Sequence, residues 1–284
     1  MSLGIQVQQH PPTCSLSIWS VINEPNFVAA LAWLYVRKPN HAVRISNALE
    51  PGLAGLPGKS IENAISLLRY DTDDIVDDLQ SSDPGVAEKA QKTLTARMSQ
   101  RDGLLFQHIS WLAASRQFPN AHAVPPHVRK ADKGFDGFLL EMEAPGSGIS
   151  KLVLCEDKAS DAPRGLVTGK IWPELDGIHA GDKDLEILDA VTALLQGISE
   201  HEREAALTTI VWHRVWSFRV ALTAGANQQK AGSYKHLFDG YENHVSGEAD
   251  LRMAEIMPMV DVRPYLQKLA DKVISELEEI KSNV

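Results

Sequence analysis

The chain has 284 residues, 44% hydrophobic and 23% charged, and a formal net charge of -9. That composition excludes a disordered or fibrous chain, and it excludes a protein that coats polyanions with its whole surface, because a nucleic acid would need a local basic patch working against the overall field. The only two cysteines, Cys14 and Cys155, exclude a disulfide framework, leave Cys155 as a small core residue, and make a reducing cytoplasm the expected compartment.

Residues 1–26 carry Pro11, Pro12 and Pro25 and predict a short strand or irregular structure. They lack a basic stretch followed by an apolar one, so no signal peptide is expected. Asn26–Tyr35 predicts a buried helix, and the apolar segment Phe27–Val36 is too short to span a bilayer, so no membrane partner is expected. Glu50–Lys59 is a Gly/Pro loop, after which Ser60–Leu68 resumes a helix with Ser60 as its N-cap. Asp71–Asp78 lacks the glycine and terminal glutamate of a calcium loop and reads as a solvated acidic face. Residues 1–82 are thus expected to form a helical region packed on a core built from 83–284.

Asp83 and Pro84 form an N-cap and N1 pair. A helix is predicted from there to about Ser115, with a break near Asp102-Gly103, and His108 falls on its apolar face with Leu104, Leu105, Trp111 and Leu112 as a core histidine. Phe118–His127 is a connector. Beyond a hairpin, Asp161–Gly181 reads as loop, Asp184–Ile198 as an amphipathic helix, and Ser217–Thr223 as a strand whose Phe218, Val220 and Leu222 share a face. Ala224–Tyr241 reads as exposed, and a last helix starts near Asp261. The order predicts an α/β fold with a small mixed β-sheet flanked by helices, in which strands 151–158 and 217–223 are joined by a parallel crossover.

The hairpin is Gly134–Ser160: two apolar runs, Phe135–Met142 and Lys151–Cys155, around a Pro/Gly/Ser turn. Along the second run Leu152, Leu154, Glu156 and Lys158 share a face, with Val153, Cys155 and Asp157 on the other; along the first, Asp136 shares a face with Phe138, Leu140 and Met142. If the turn is centred on Gly146, Asp136 falls opposite Glu156, with Cβ atoms roughly 4.5–5.5 Å apart. Lys158 then lies about 6.6 Å further along the same face. Two opposed carboxylates destabilise a fold unless something compensates them. A divalent cation does so, and oxygen ligands suit Mg²⁺ or Mn²⁺. A neighbouring lysine can position water or neutralise charge on a phosphoryl group, a set that suits phosphodiester hydrolysis.

An Asp after a glycine-containing turn, then an apolar strand ending in Glu-x-Lys, resembles the PD-(D/E)xK nuclease superfamily; the matching residues are Gly134-Phe135-Asp136 and Leu152–Lys158. The resemblance covers about one tenth of the chain at motif level, and the helix–strand order to about residue 223 is compatible with that family's restriction-endonuclease-like core. It implies Asp136 and Glu156 as metal ligands, the Asp157 carbonyl as a further ligand, and Lys158 as the catalytic lysine. Where many relatives carry a glutamate on the preceding helix, this chain has Gln107, an accessory group able to hold a metal-bound water but uncharged. The proline of the family name is also missing, since Phe135 precedes Asp136. The implied activity is a metal-dependent nuclease, with DNA ahead of RNA as substrate and a place in restriction, repair or phage defence. Cutting two strands calls for two sites, which fits a homodimer or a partner protein from the same system.

Arg129, Lys130, Lys133, Arg164 and Lys170 cluster near the hairpin in sequence and are candidate nucleic-acid contacts. The same residues leave open a catalytically silent nuclease-fold module that binds nucleic acid or a protein. Gly55–Ser60 (GLPGKS) resembles a phosphate-binding GxxxxGK(S/T) loop but has Leu53 where the first glycine belongs, so it reads as a plain loop.

Overall fold

The computed structural model describes residues 1–10, 13–50, 55–56, 58–127, 135–142, 149–196, 200–213 and 216–282. Strands β1 (Leu3–His10) and β2 (Cys14–Val21) come first. Helices α1 (Glu24–Tyr35), α2 (Pro39–Ser46), α3 (Ser60–Leu68), α4 (Val76–Leu79) and α5 (Pro84–Gln117) follow. Next are strands β3 (His122–Ala123), β4 (Gly137–Met142) and β5 (Ile149–Lys158), then helices α6 (Pro163–Leu166), α7 (Trp172–Ala180), α8 (Asp184–Leu194) and α9 (Glu200–His213). Strand β6 (Trp216–Gly225), helix α10 (Tyr241–His244), strand β7 (Arg252–Met259) and helix α11 (Val262–Ser282) complete the order.

Seven strands among the described residues form one sheet in the order β1-β2-β7-β6-β5-β4-β3. The middle four, β2, β7, β6 and β5, run parallel, and each edge is closed by an antiparallel hairpin or meander. The predicted α/β class and the parallel crossover from β5 to β6 are both present. Side-chain alternation gives the sheet two packed faces. On one, Leu152, Leu154, Phe218, Val220, Leu222, Ala254 and Ile256 meet the helices between Pro163 and Ile210. On the other, Val153, Cys155 and Met253 meet Ala114 of α5, and beyond them Ala221 and Met257 pack with α1, α3, α5 and α11.

Several expectations are corrected. The N-terminal region is not simply helical, because β1 and β2 form a hairpin that extends the same sheet. Strand β7 was not predicted: its run RMAEIMPM carries Glu255 and Pro258, residue types that argue against a central strand. Helix α5 has no break at Asp102-Gly103 and continues for 34 residues, capped by the Asp83 carboxylate on the Gly85 and Val86 amides at 2.8 and 3.3 Å. Ser60 begins α3 one residue inside the cap. The segment expected as loop is helical from Pro163 to Ala180, interrupted by a π turn at Val167–Ile171. That wider turn precedes Pro173 and accommodates its missing amide hydrogen, and Gly181 ends the helix at φ 94°.

Of residues 224–241, 226–233 are exposed or half-buried as expected, but much of the rest of the stretch is not. Tyr234, Leu237, Phe238 and Tyr241 are buried against the sheet, and the Tyr241 hydroxyl donates to the Phe218 carbonyl at 3.0 Å. His108 is the expected core histidine: it is buried, stacks on Tyr35 at 3.9 Å, and burial lowers its pKa to about 4. Among the described residues, no helix is long and apolar enough to cross a membrane. Tyr241→Phe is expected to lower unfolding free energy by about 1 kcal/mol, the net worth of one buried hydrogen bond, measured by urea denaturation; an unchanged midpoint would place this segment off the sheet.

Candidate functional site

The β4–β5 ladder pairs Gly137 with Cys155, Phe138 with Leu154, Leu139 with Val153, Leu140 with Leu152 and Glu141 with Lys151. This is the register of a hairpin centred on Gly146, and the next position beyond Gly137 and Cys155 sets Asp136 against Glu156. A register shift follows Glu141, and the turn itself lies outside the described residues.

The side chains converge as the register requires. Asp136 Oδ2 accepts from Lys158 Nζ at 3.0 Å and from the Asp157 backbone amide at 2.8 Å. Asp136 Oδ1 accepts from Gln107 Nε2 of α5. Since a carboxylate only accepts, the nitrogen end of the Gln107 amide is the end that faces it. Lys158 Nζ also contacts Glu156 Oε1, so one ammonium touches both carboxylates. The neighbouring Phe135 is fixed by its amide, which donates to Glu186 Oε1 of α8 at 3.0 Å, and by an edge-on contact with Phe138 at 4.8 Å.

The electrostatics follow from two carboxylates sharing one cation in a poorly solvated corner. Burial, then the Asp136 charge, pushes the Glu156 carboxyl up to about 8, with Lys158 pulling the other way and Glu174 of α7 adding to the rise. Burial pulls the Lys158 ammonium down, but Glu156 and Asp136 outweigh it and hold its pKa above the ordinary lysine value. Lys158 therefore stays charged, and proton uptake falls on the carboxyl side.

Beneath the site, the opposite face of the sheet carries a second polar group. Asp157 of β5, Arg219 of β6 and Glu255 of β7 are all buried there. Arg219 lies 2.5 Å from Glu255 Oε2 and 3.4 Å from Asp157 Oδ1, and donates to Ser110 Oγ of α5 at 2.7 Å. Ser110 in turn donates to Asp157 at 2.6 Å, and Gln117 donates to Glu255 at 2.7 Å. Burial raises the Asp157 carboxyl to about 7 against the pull of Arg219. Arg219 and Glu255 were not singled out from the sequence. The available signal was a lone charge interrupting each apolar run, in SFRVALT and MAEIMPM.

Of the candidate nucleic-acid contacts, Lys170 is exposed on the π turn. Arg164 is half-buried and donates to the Leu237 carbonyl at 3.1 Å, which anchors the segment before α10. Arg129, Lys130 and Lys133 lie outside the described residues. Among the described residues, no three His, Cys, Asp or Glu side chains gather as a metal-binding group. What the strand ends offer is the oxygen pair of Asp136 and Glu156. Neither a protein-family model, nor a curated protein, nor a solved structure matches this chain.

The raised carboxyls give a sign to the pH dependence. Unfolded, Glu156 and Asp157 titrate near 4.5 and 3.8; folded, they hold their protons to about 8 and about 7. Their contribution to stability is fully present below the unfolded values and is lost as pH rises through the folded ones. Unfolding free energy in EDTA is expected to fall between about pH 5 and pH 8, at most about 1.4 kcal/mol per pH unit for each proton. Glu156→Gln should remove one proton's share of that slope in denaturation series; an unchanged slope would mean that Glu156 is already ionised in the folded chain.

Proposed function

We propose that the protein is a metal-dependent nuclease that hydrolyses phosphodiester bonds, most simply in DNA. The observation that carries the reading is the convergence of two carboxylates, Asp136 just before β4 and Glu156 of β5, on the Lys158 ammonium at the end of β5. The element order α5, the β3–β4–β5 meander, intervening helices and parallel β6 adds support, being compatible with the restriction-endonuclease-like core that the motif suggests.

Asp136 and Glu156 would hold Mg²⁺ or Mn²⁺, with the Asp157 carbonyl as a further oxygen donor. The donor set fits such an ion: hard oxygens only, and a carboxyl whose pKa is raised by burial and then by the Asp136 charge beside it. When bound, the ion supplies Lewis acidity and a more acidic water. The remaining work belongs to the chain. Gln107 and the Asp157 amide fix the Asp136 carboxylate from two sides, so it needs no reorganisation on binding. Lys158 stays protonated beside the same carboxylates and stabilises negative charge that builds on the phosphoryl oxygens as water attacks phosphorus and the bond to the leaving oxygen breaks.

Single-turnover cleavage of labelled oligonucleotides and plasmid in Mn²⁺ tests the reading. Lys158→Ala is expected to lower the rate by roughly 10²–10³-fold, Glu156→Ala to abolish metal-dependent cleavage, and Gln107→Ala to lose roughly 10–100-fold. A wild-type protein that binds nucleic acid in a salt-sensitive way and cuts nothing in Mg²⁺ or Mn²⁺ would instead be a binding module on this fold.

A further inference from the structure

The first half of helix α5, up to Gln100, is mostly exposed, but from Arg101 to Ala114 the helix is largely buried beneath the sheet. Between Arg101 and Ser115 the residues that are not buried are Gly103, Gln107, Trp111 and Ser115, one in four. At 3.6 residues per turn these make a single slanted row, a stripe that winds about 120° round the helix. Gln107 is the residue that holds Asp136. One turn before it, a Cβ added to Gly103 would meet nothing within 4 Å. Packing therefore does not require glycine there, although glycine inside a helix costs about 1 kcal/mol relative to alanine.

One turn after Gln107 the stripe runs into a cleft of about 550 Å³. Its walls include Trp111, Ser115 and Phe118 at the end of α5, Asn40 and Arg44 of α2, and His122 of the edge strand β3. A second cleft of about 570 Å³ is lined by Arg37 and Lys38, which precede Pro39 of the first cleft in the chain. The Arg37 guanidinium donates to the Pro126 carbonyl at 2.5 Å, and Pro125 borders the first cleft, so a residue of each cleft belongs to or touches the Pro125-Pro126 pair. No acidic side chain is among the described residues lining either cleft, in a chain with a net charge of -9. An indole and an imidazole beside arginine and lysine, without carboxylates, make a surface for stacked bases and phosphates.

We propose that the substrate is single-stranded nucleic acid, which lies along the Gly103–Gln107–Trp111–Ser115 stripe and turns an unpaired base into the cleft against Trp111. This rests on the nuclease reading and names its substrate class. The preference for a single strand follows from stacking: an indole can cover only a base whose face is free, and in a duplex both faces are already covered. The cleft has the size of a small-ligand site, which admits one base. Arg44, Arg37 and Lys38 supply the local positive charge that binding the backbone requires.

The test is fluorescence anisotropy in EDTA, where no metal-dependent cleavage occurs, with labelled single-stranded DNA, single-stranded RNA and blunt duplex of one sequence. At least one single strand should bind 10-fold or more tightly than the duplex. Trp111→Ala should weaken it by roughly 10-fold or more, with Trp111→Phe restoring most of the loss. Gly103→Asp adds a carboxylate in open space on the stripe, where the fold tolerates it, and should weaken binding without lowering the melting temperature. Arg44→Glu should do the same from the cleft wall. Duplex bound as tightly as single strand, binding to none of the probes, or wild-type affinity in the Trp111→Ala and Gly103→Asp variants would overturn the proposal. Cleavage of duplex DNA that ignores these variants would leave the nuclease reading standing and remove this one. Trp111-dependent binding of single strands without cleavage would do the reverse.

Discussion

One ammonium between two carboxylates governs this end of the molecule. Lys158 touches both Asp136 and Glu156, and nearly all of Glu156 is withdrawn from water. A single positive charge neutralises one carboxylate; the second must hold a proton or find another cation. Charges buried in this way rarely add stability, because the desolvation of each ion offsets much of the attraction. A well-packed apolar strand end would serve the fold as well. Asp136 nevertheless draws an ammonium and a backbone N–H from β5 and a side-chain amide from α5, an arrangement that the stability of the fold does not require.

The cost of that corner is met on the other face of β5. Asp157 points away from the site into the layer under α5, where Ser110 and Arg219 hold it. Its amide meanwhile faces Asp136. One residue thus ties the backbone at the strand end to a buried anchor while presenting a donor to the opposite side. Arg219 serves two acids at once, Asp157 and Glu255, and lies over the Trp19 ring at 5.3 Å. Three adjacent parallel strands each give one charged residue to this anchor, which links their relative positions to the geometry of the carboxylates above.

Much of the site was legible in the sequence because its parts lie on regular strands. Period-two alternation and a Gly-centred turn fixed the register that sets Asp136 against Glu156. The role of Gln107 was half visible: its place on the preceding helix was expected, but its contact is with Asp136 itself. What stayed hidden obeys tertiary context. Strand β7 contains a charge and a proline that local propensity counts against, yet Glu255 is satisfied by Arg219 and Gln117, and Pro258 sits near the strand's end. The helix from Pro163 to Ala180 was masked by its glycines and prolines, because a π turn is invisible to a pattern built on 3.6 residues. The buried aromatic residues between 224 and 241 are irregular in spacing, and only the sheet beneath them explains their burial.

Helix α5 connects these pieces, and its burial limits how it can sit. From one helix, Ser110 and Gln117 reach the buried anchor, Gln107 reaches Asp136, and His108 stacks on Tyr35. These contacts point in different directions around the axis. A turn of about 100°, the step between successive residues, would detach Ser110 from Asp157 and Gln107 from Asp136 together. Between Arg101 and Ser115 the open row is what remains after the other sides are packed, so the place of Gln107 beside Asp136 is fixed by the same packing that holds the sheet. The first half of the helix, up to Gln100, keeps the broad polar face of an ordinary surface helix. From Arg101 to Ser115 only a row of half-buried residues is left open, and that row passes Asp136 at Gln107 and ends in an aromatic cleft whose described lining carries no acidic side chain.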